Sequence, residues 1–275
     1  MHTFLQKPVK RLKMRRLTRA EIGNFRYEII NLLACTPDPF SSVIYEIDIG
    51  PCKQKAKTIG TALGRHITLT PVIIKLLGHA IAAHPVFNQM IFNNNLYQFE
   101  DIAIANLTLI PGTDTVTNII FKNPHQKSLA AIQQELFSGI TEAKAQMSSP
   151  THPLVSFLSN LCYRYGLFRL VGERRAFAIA YERGLISNIC VSIHLYSSPA
   201  NFIMVKDVIP PMNMSPRIHI CGPVKKAVFE DDLLVAREVI QIHVTTDHRI
   251  IDGVHAYEFG QTLEKISAHP EQYFS

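Results

Sequence analysis

The chain has 275 residues with 28 Lys and Arg against 22 Asp and Glu, formally +6. Seven of those bases (Lys7, Lys10, Arg11, Lys13, Arg15, Arg16 and Arg19) sit in the first 19 residues, which hold no acid, so the other 256 carry 21 bases against 22 acids. A body this close to neutral, 47% hydrophobic and 18% charged, excludes a disordered chain and a dedicated nucleic-acid surface.

In chain order, Thr18 with Glu21 three residues later reads as a capping box. It opens one helix with apolar positions at Ile22, Phe25, Ile29, Ile30 and Leu33, stopped by Pro37 and Pro39. Residues 42–49 alternate with period two, as a strand with one wet face does. Lys53 to Leu63 reads as a short polar helix or a loop, and Pro71 starts a strong helix over 72–83. Phe87 to Phe99 reads as a hairpin with Asn93, Asn94 and Asn95 at its tip. Strands follow at 102–110 and 116–121, then a helix capped by Ser128 with Leu129, Ile132, Leu136 and Ile140 on one face. Ser148-Ser149-Pro150 breaks that helix. Residues 153–185 mix apolar side chains with Arg164, Arg169, Arg174, Arg175 and Arg183. Further strands are expected at 188–196, 201–206, 217–221 and 237–246, with a turn at Glu230-Asp231-Asp232 and a last helix from Asp252 to about Ile266. This order predicts an α/β (α+β) two-layer sandwich, a mixed sheet covered by helices.

No apolar run reaches the ~18 residues that span a bilayer, and MHTFLQKPVKRLKMRR has no apolar stretch after its bases, unlike a secretory signal. Five widely spaced cysteines (Cys35, Cys52, Cys162, Cys190, Cys221) without C-x-x-C read as free thiols in a reducing cytoplasm, and no metal site is expected. His194, His219 and His243 read as satisfied residues of strand faces. His79 and His84, five apart on a helix, are poorly spaced for ligands.

The stretch that carries chemistry is Asp247-His248-Arg249-Ile250-Ile251-Asp252-Gly253. A strand delivers His248 at its end, and Asp252 stands where the last helix needs an N-cap. Gly253 allows close packing of the backbone. An imidazole on so short a support suits a positioned general base.

That stretch resembles the signature of the acyltransferase (E2) subunits of 2-oxo acid dehydrogenase complexes, and Asp252-Gly253-Val254-His255 resembles the D-G-x-H of chloramphenicol acetyltransferases. Arg16-Leu17-Thr18-Arg19, His84-Pro85-Val86-Phe87-Asn88, Asp101 to Ala105 and Glu230 to Thr246 look like further segments of the E2 catalytic domain. The resemblance covers about residues 16–145 and 186–275. It implies the chloramphenicol acetyltransferase-like fold and a homotrimer with active sites between subunits. It further implies acyl transfer from coenzyme A, with acyl-CoA as substrate, to a small-molecule or carrier acceptor, a thiol by preference. It makes His248 the general base, Asp252 the residue that fixes the loop and the imidazole, and Asp247, Arg249 and Gly253 the support of the motif.

The family places a hydroxyl on the preceding strand to stabilise the oxyanion. Here Val191 to Pro199 lacks the usual Gly-rich sequence, and the candidates are Ser192, His194, Ser197 and Ser198. Residues 1–15 read as a basic arm and 16–275 as a single acyltransferase-like domain with an insertion at about 146–185. So short a leader implies a stand-alone enzyme with no covalently bound lipoyl group. The insertion could line a substrate mouth, meet a partner or touch a membrane surface. Two other readings stand beside the enzyme: a non-catalytic trimeric scaffold or regulatory partner, and a condensation-type enzyme forming amides or esters. The last has two consecutive histidines in its motif, where this chain has Asp247 and His248.

Overall fold

In a computed structural model, the structure describes residues 13–33, 39–92, 95–113, 115–147, 189–194 and 216–275. The expected strand at 201–206, Cys35, Cys162, Ser197, Ser198 and nearly all of the expected insertion lie outside the described residues.

Strands β1 (Met14–Arg16), β2 (Phe40–Asp48), β3 (Gln89–Phe92), β4 (Asn95–Phe99), β5 (Ala103–Leu109), β6 (Val116–Lys122), β7 (Ile189–His194), β8 (Arg217–Glu230) and β9 (Leu233–Asp247) form two sheets. The larger runs β2-β9-β8-β7-β5-β6, and the smaller runs β1-β4-β3. In the larger sheet β7 pairs parallel with both β5 and β8, while the other pairings are antiparallel. The sheet is therefore mixed. Helices are α1 (Arg19–Ile22), α2 (Asn24–Leu33), α3 (Gly50–Ala62), α4 (Leu69–Ala83), α5 (Leu129–Met147) and α6 (Gly253–Ala268).

Alternation along the strands decides which face is covered. Ile240, Ile242 and Val244 of β9, Ile218 and Ile220 of β8, and Ile189 and Val191 of β7 share one core with Leu76 and Leu77 of α4, Ile132 of α5 and Phe259 of α6. Each fully buried side chain of this size contributes roughly 1.5–3 kcal/mol. The opposite parity carries Ser192, His219, His243, Thr245 and Asp247. One face of the sheet is a hydrophobic layer against helices, and the other is polar.

Several elements differ from the sequence expectation. The first helix is two, because Gly23 at φ +81° ends α1 directly after its capping box and α2 restarts at Asn24. The capping box itself forms, Thr18 N donating to Glu21 Oε2 at 2.8 Å and Glu21 N to Thr18 Oγ1 at 3.4 Å. Residues 50–62 are a full helix, since Cys52, Ala56 and Gly60 recur at helical spacing on its buried face. The expected hairpin forms from β3 and β4, with Asn95, the first residue of β4, paired with Phe92 at its closed end. The strands expected at 217–221 and 237–246 are the inner parts of one long hairpin, with a register irregularity between Cys221 and Val224. Among the described residues no helix is long and apolar enough to cross a membrane.

Candidate active site

β9 ends at Asp247 and α6 begins at Gly253, so five residues must turn the chain. The turn is built inward from its apolar members: Ile250 and Ile251 are buried in the main core. Its polar lock is the Asp247–Arg249 pair, 1% and 9% exposed in their side chains. Arg249 donates from Nε to both carboxylate oxygens at 2.9 and 3.1 Å and from Nη2 at 2.6 Å, and its backbone N–H donates to Oδ1 at 3.0 Å. The Asp247 carbonyl accepts from Ile250 N at 2.9 Å and Ile251 N at 3.0 Å, and His248 N donates to Pro39 O at 2.7 Å. Charge-assisted bonds away from water hold such a loop in one geometry.

Out of this turn His248 projects into solvent. Its Nδ1 lies 2.7 Å from the Ile251 carbonyl oxygen, which can only accept. In the neutral ring the proton therefore sits on Nδ1, and the lone pair is left on Nε2. A tautomer fixed by a backbone carbonyl is what a general base needs.

Asp252 is the N-cap residue of α6. Its two carboxylate oxygens accept from Arg26 Nη2 at 2.8 and 2.5 Å, and Arg26 Nη1 donates to the Arg249 carbonyl at 3.3 Å. Partial burial works to raise the Asp252 pKa, but the Arg26 hydrogen bond and charge outweigh it and hold the carboxyl below its ordinary value. His255 accepts from Asp252 N at Nδ1 over 3.1 Å. Asp252 ties the loop to α2 through Arg26, and the His248 ring meets Ile251 O. Gly253 starts α6 and has open space where a Cβ would stand.

Arg26 is the site residue that the sequence reading missed. A signal was present, because Ile22, Arg26, Ile30 and Leu33 recur at helical spacing. An arginine on the buried stripe of a helix calls for a carboxylate partner.

The two oxyanion candidates among the described residues, Ser192 and His194, fall elsewhere on the sheet. Ser192 on β7, 6% exposed, pairs with His219 of β8, which pairs with His243 of β9. Asp247 lies four residues beyond His243, so Ser192 is two strands across and four residues along from it, about 16 Å by ordinary strand spacings. His194 pairs with Cys221, two residue pairs further along each strand from the turn. Within one chain, Ser192 and His248 do not meet.

His219 and His243 are both buried, with ring centroids 6.4 Å apart. Cys52 and Cys190 are buried cysteines and Cys221 is a half-buried one, with burial pushing the Cys52 thiol up to about 11. Among the described residues no group of three or more His, Cys, Asp or Glu is arranged to hold a metal ion.

Residues 207–275 match the family model described as 2-oxoacid dehydrogenases acyltransferase (catalytic domain). No curated protein matches. Among solved structures, a probable dihydrolipoamide acetyltransferase from Listeria monocytogenes aligns with 92% of this chain and 94% of its own at 18% identity and TM-score 0.57. Azotobacter vinelandii dihydrolipoamide acetyltransferase (E2p) aligns with 92% and 90% at 14% identity and TM-score 0.58. A chloramphenicol acetyltransferase aligns with 92% and 99% at 16% identity and TM-score 0.54. In the sequence of its last quarter, and in fold over nine-tenths of its length, the chain resembles the acyltransferase catalytic domain of 2-oxo acid dehydrogenase complexes and shares the chloramphenicol acetyltransferase-like fold.

Proposed function

We propose that this chain is a CoA-dependent acyltransferase with His248 as its general base. The observation that carries the proposal is the 2.7 Å contact from His248 Nδ1 to Ile251 O, inside a turn locked by a buried ion pair. Nε2 is left as the basic atom, on a rigid support. The family match over 207–275 and the fold point to the same chemistry.

The step runs as follows. Nε2 takes the acceptor's proton as its sulfur attacks the thioester carbonyl of acyl-CoA, giving a tetrahedral oxyanion. Collapse expels the CoA thiolate, which takes the proton back from the imidazolium. A thiol near pKa ~8.5 and an imidazole near ~6.5 differ by ~2 units, so full proton transfer costs only about 2.7 kcal/mol. A hydroxyl lies much further away and needs transfer concerted with attack. Thiol acceptors are therefore favoured.

The separation of Ser192 from His248 favours an active site assembled between subunits. The base of one chain would act beside the oxyanion donor of its neighbour, with Ser192, His194, Ser197 and Ser198 as the candidates for that donor. Such a donor is worth about 2.7–4 kcal/mol of transition-state stabilisation. A homotrimer is the assembly this reading implies. The same separation favours, as a second reading, a non-catalytic trimeric scaffold that keeps the His248 turn.

The test is thiol release from acetyl-CoA and longer acyl-CoAs across an acceptor panel that includes dihydrolipoamide, an alcohol and an amine. Acceptor-dependent release above background, greatest with a thiol, supports the enzyme. Background rates with every acceptor would sink it and leave the scaffold.

A further inference from the structure

Helix α4 is buried at every position from Pro71 to Ala80 except the half-buried His79, yet it carries a lysine at 75 that is only 2% exposed. Lys75 Nζ donates to the carbonyl oxygens of His125, at 3.3 Å, and of Lys127. Carbonyl dipoles take two of its three hydrogens without cancelling its charge. One turn along the same face, His79 Nε2 donates to Tyr273 O at 3.1 Å, and its ring stands edge-on to those of Tyr273 and His125, with centroids 5.2 and 6.1 Å away. His125, in the short turn Pro124–Gln126, has a buried Nδ1 with no partner among the described residues.

These groups lie under the last residues described. The turn Pro270–Gln272 leads to Phe274, 3% exposed in the main core, and Ser275 O accepts from Leu129 N, the first residue of α5, at 3.0 Å. Among the described residues, no side-chain carboxylate is among the groups that act on His79 and His125. α3 has only lysines as charged residues (Lys53, Lys55, Lys57), while Glu258, Glu264 and Lys265 of α6 are exposed. Glu135 of α5 is paired with Lys127 at 2.6 Å, and Glu271 lies beside His269 with both side chains 57% exposed.

We propose that Lys75, His79 and His125 form an acid-sensitive latch: charging the two imidazoles beside the buried ammonium releases the segment Pro270–Ser275 from α4 and α5. Burial and then the Lys75 charge push His79 down to about 4 and hold His125 below its ordinary value. The released form, with its imidazoles in water, binds protons more readily than the latched form. Latching is thus at full strength above pH ~6.5 and weakens as pH falls toward 4. For His79 alone, that difference favours opening at pH 5 over pH 7.5 by about thirtyfold.

Amide hydrogen exchange on the full chain at pH 7.5 and 5, corrected for intrinsic rates, tests this. The amides of Leu129 and Phe274 should lose at least tenfold more protection than those of Ile242 and Val244 in the central strand. Equal loss at all four positions means global acid unfolding and overturns the latch, as does unchanged protection at Leu129 and Phe274. The variant His79→Gln keeps a donor for Tyr273 O, and with His125→Asn it should abolish the differential loss. A folded double variant that behaves as wild type also overturns the proposal. If that variant does not fold, the wild-type comparison decides alone. None of this depends on acyl transfer.

Discussion

Replacing Asp247 by alanine removes the carboxylate that takes four hydrogen bonds from Arg249. The guanidinium is left 8% exposed and without that counter-charge. Breaking one side of a buried pair costs about 3–5 kcal/mol, because the stranded charge keeps its desolvation penalty. For a chain of this size that lowers Tm by roughly 6–20 °C. Removing both charges together, as Asp247→Leu with Arg249→Met, strands nothing and should recover most of the loss. The double-mutant cycle should therefore give a coupling of about 2 kcal/mol or more. Equilibrium urea unfolding followed by far-UV circular dichroism measures all four corners. Single variants within about 1 kcal/mol of wild type, or strictly additive effects, would refute the view that this pair locks the turn.

Three further predictions follow from the same contacts. Arg26→Met should raise the Asp252 pKa; because that pKa is lowered when folded, the stability it lends is present above pH ~4 and lost as pH falls below it. The variant's acid-unfolding profile should lose that component, and an unchanged profile would show that Arg26 does not hold Asp252. Gly260→Ala would place a Cβ 2.7 Å from Tyr45 Cε1, on a ring pinned by its hydroxyl's bond to Ala256 O at 2.7 Å. It should cost about 1–3 kcal/mol in urea unfolding, and a neutral result would mean the ring yields freely. Light scattering at micromolar concentration should give a trimer of about 93 kDa from the 31.0 kDa chain, and a monomer would contradict an active site between subunits.

What the sequence disclosed was what lies close along the chain. The Thr18–Glu21 box, the Ser128 cap, where Ala131 N donates to Ser128 Oγ at 3.2 Å, and the turn from Asp247 to Gly253 each depend on neighbours a few residues apart. Strand alternation likewise separated Ile240, Ile242 and Val244 from His243 and Thr245. Gly23 was visible, but a glycine only permits a positive φ, and the break between α1 and α2 depends on how each helix packs. Contacts across long stretches of chain were not legible. Arg26 meets Asp252 across 226 positions, and the distance between Ser192 and His248 follows from pairing register, which no local pattern specifies. Lys75 looked like an ordinary helical lysine, because its carbonyl partners come from a turn 50 residues later.

The central claim is that Nε2 of His248 moves the proton in acyl transfer. Its most direct measurement is the rate of acceptor-dependent thiol release from acyl-CoA by wild type and by His248→Ala, at matched folded concentration. Loss of a positioned general base should lower kcat by about 10²–10⁴-fold with the circular dichroism spectrum unchanged. Full activity in His248→Ala would contradict the account, even in a genuine acyltransferase.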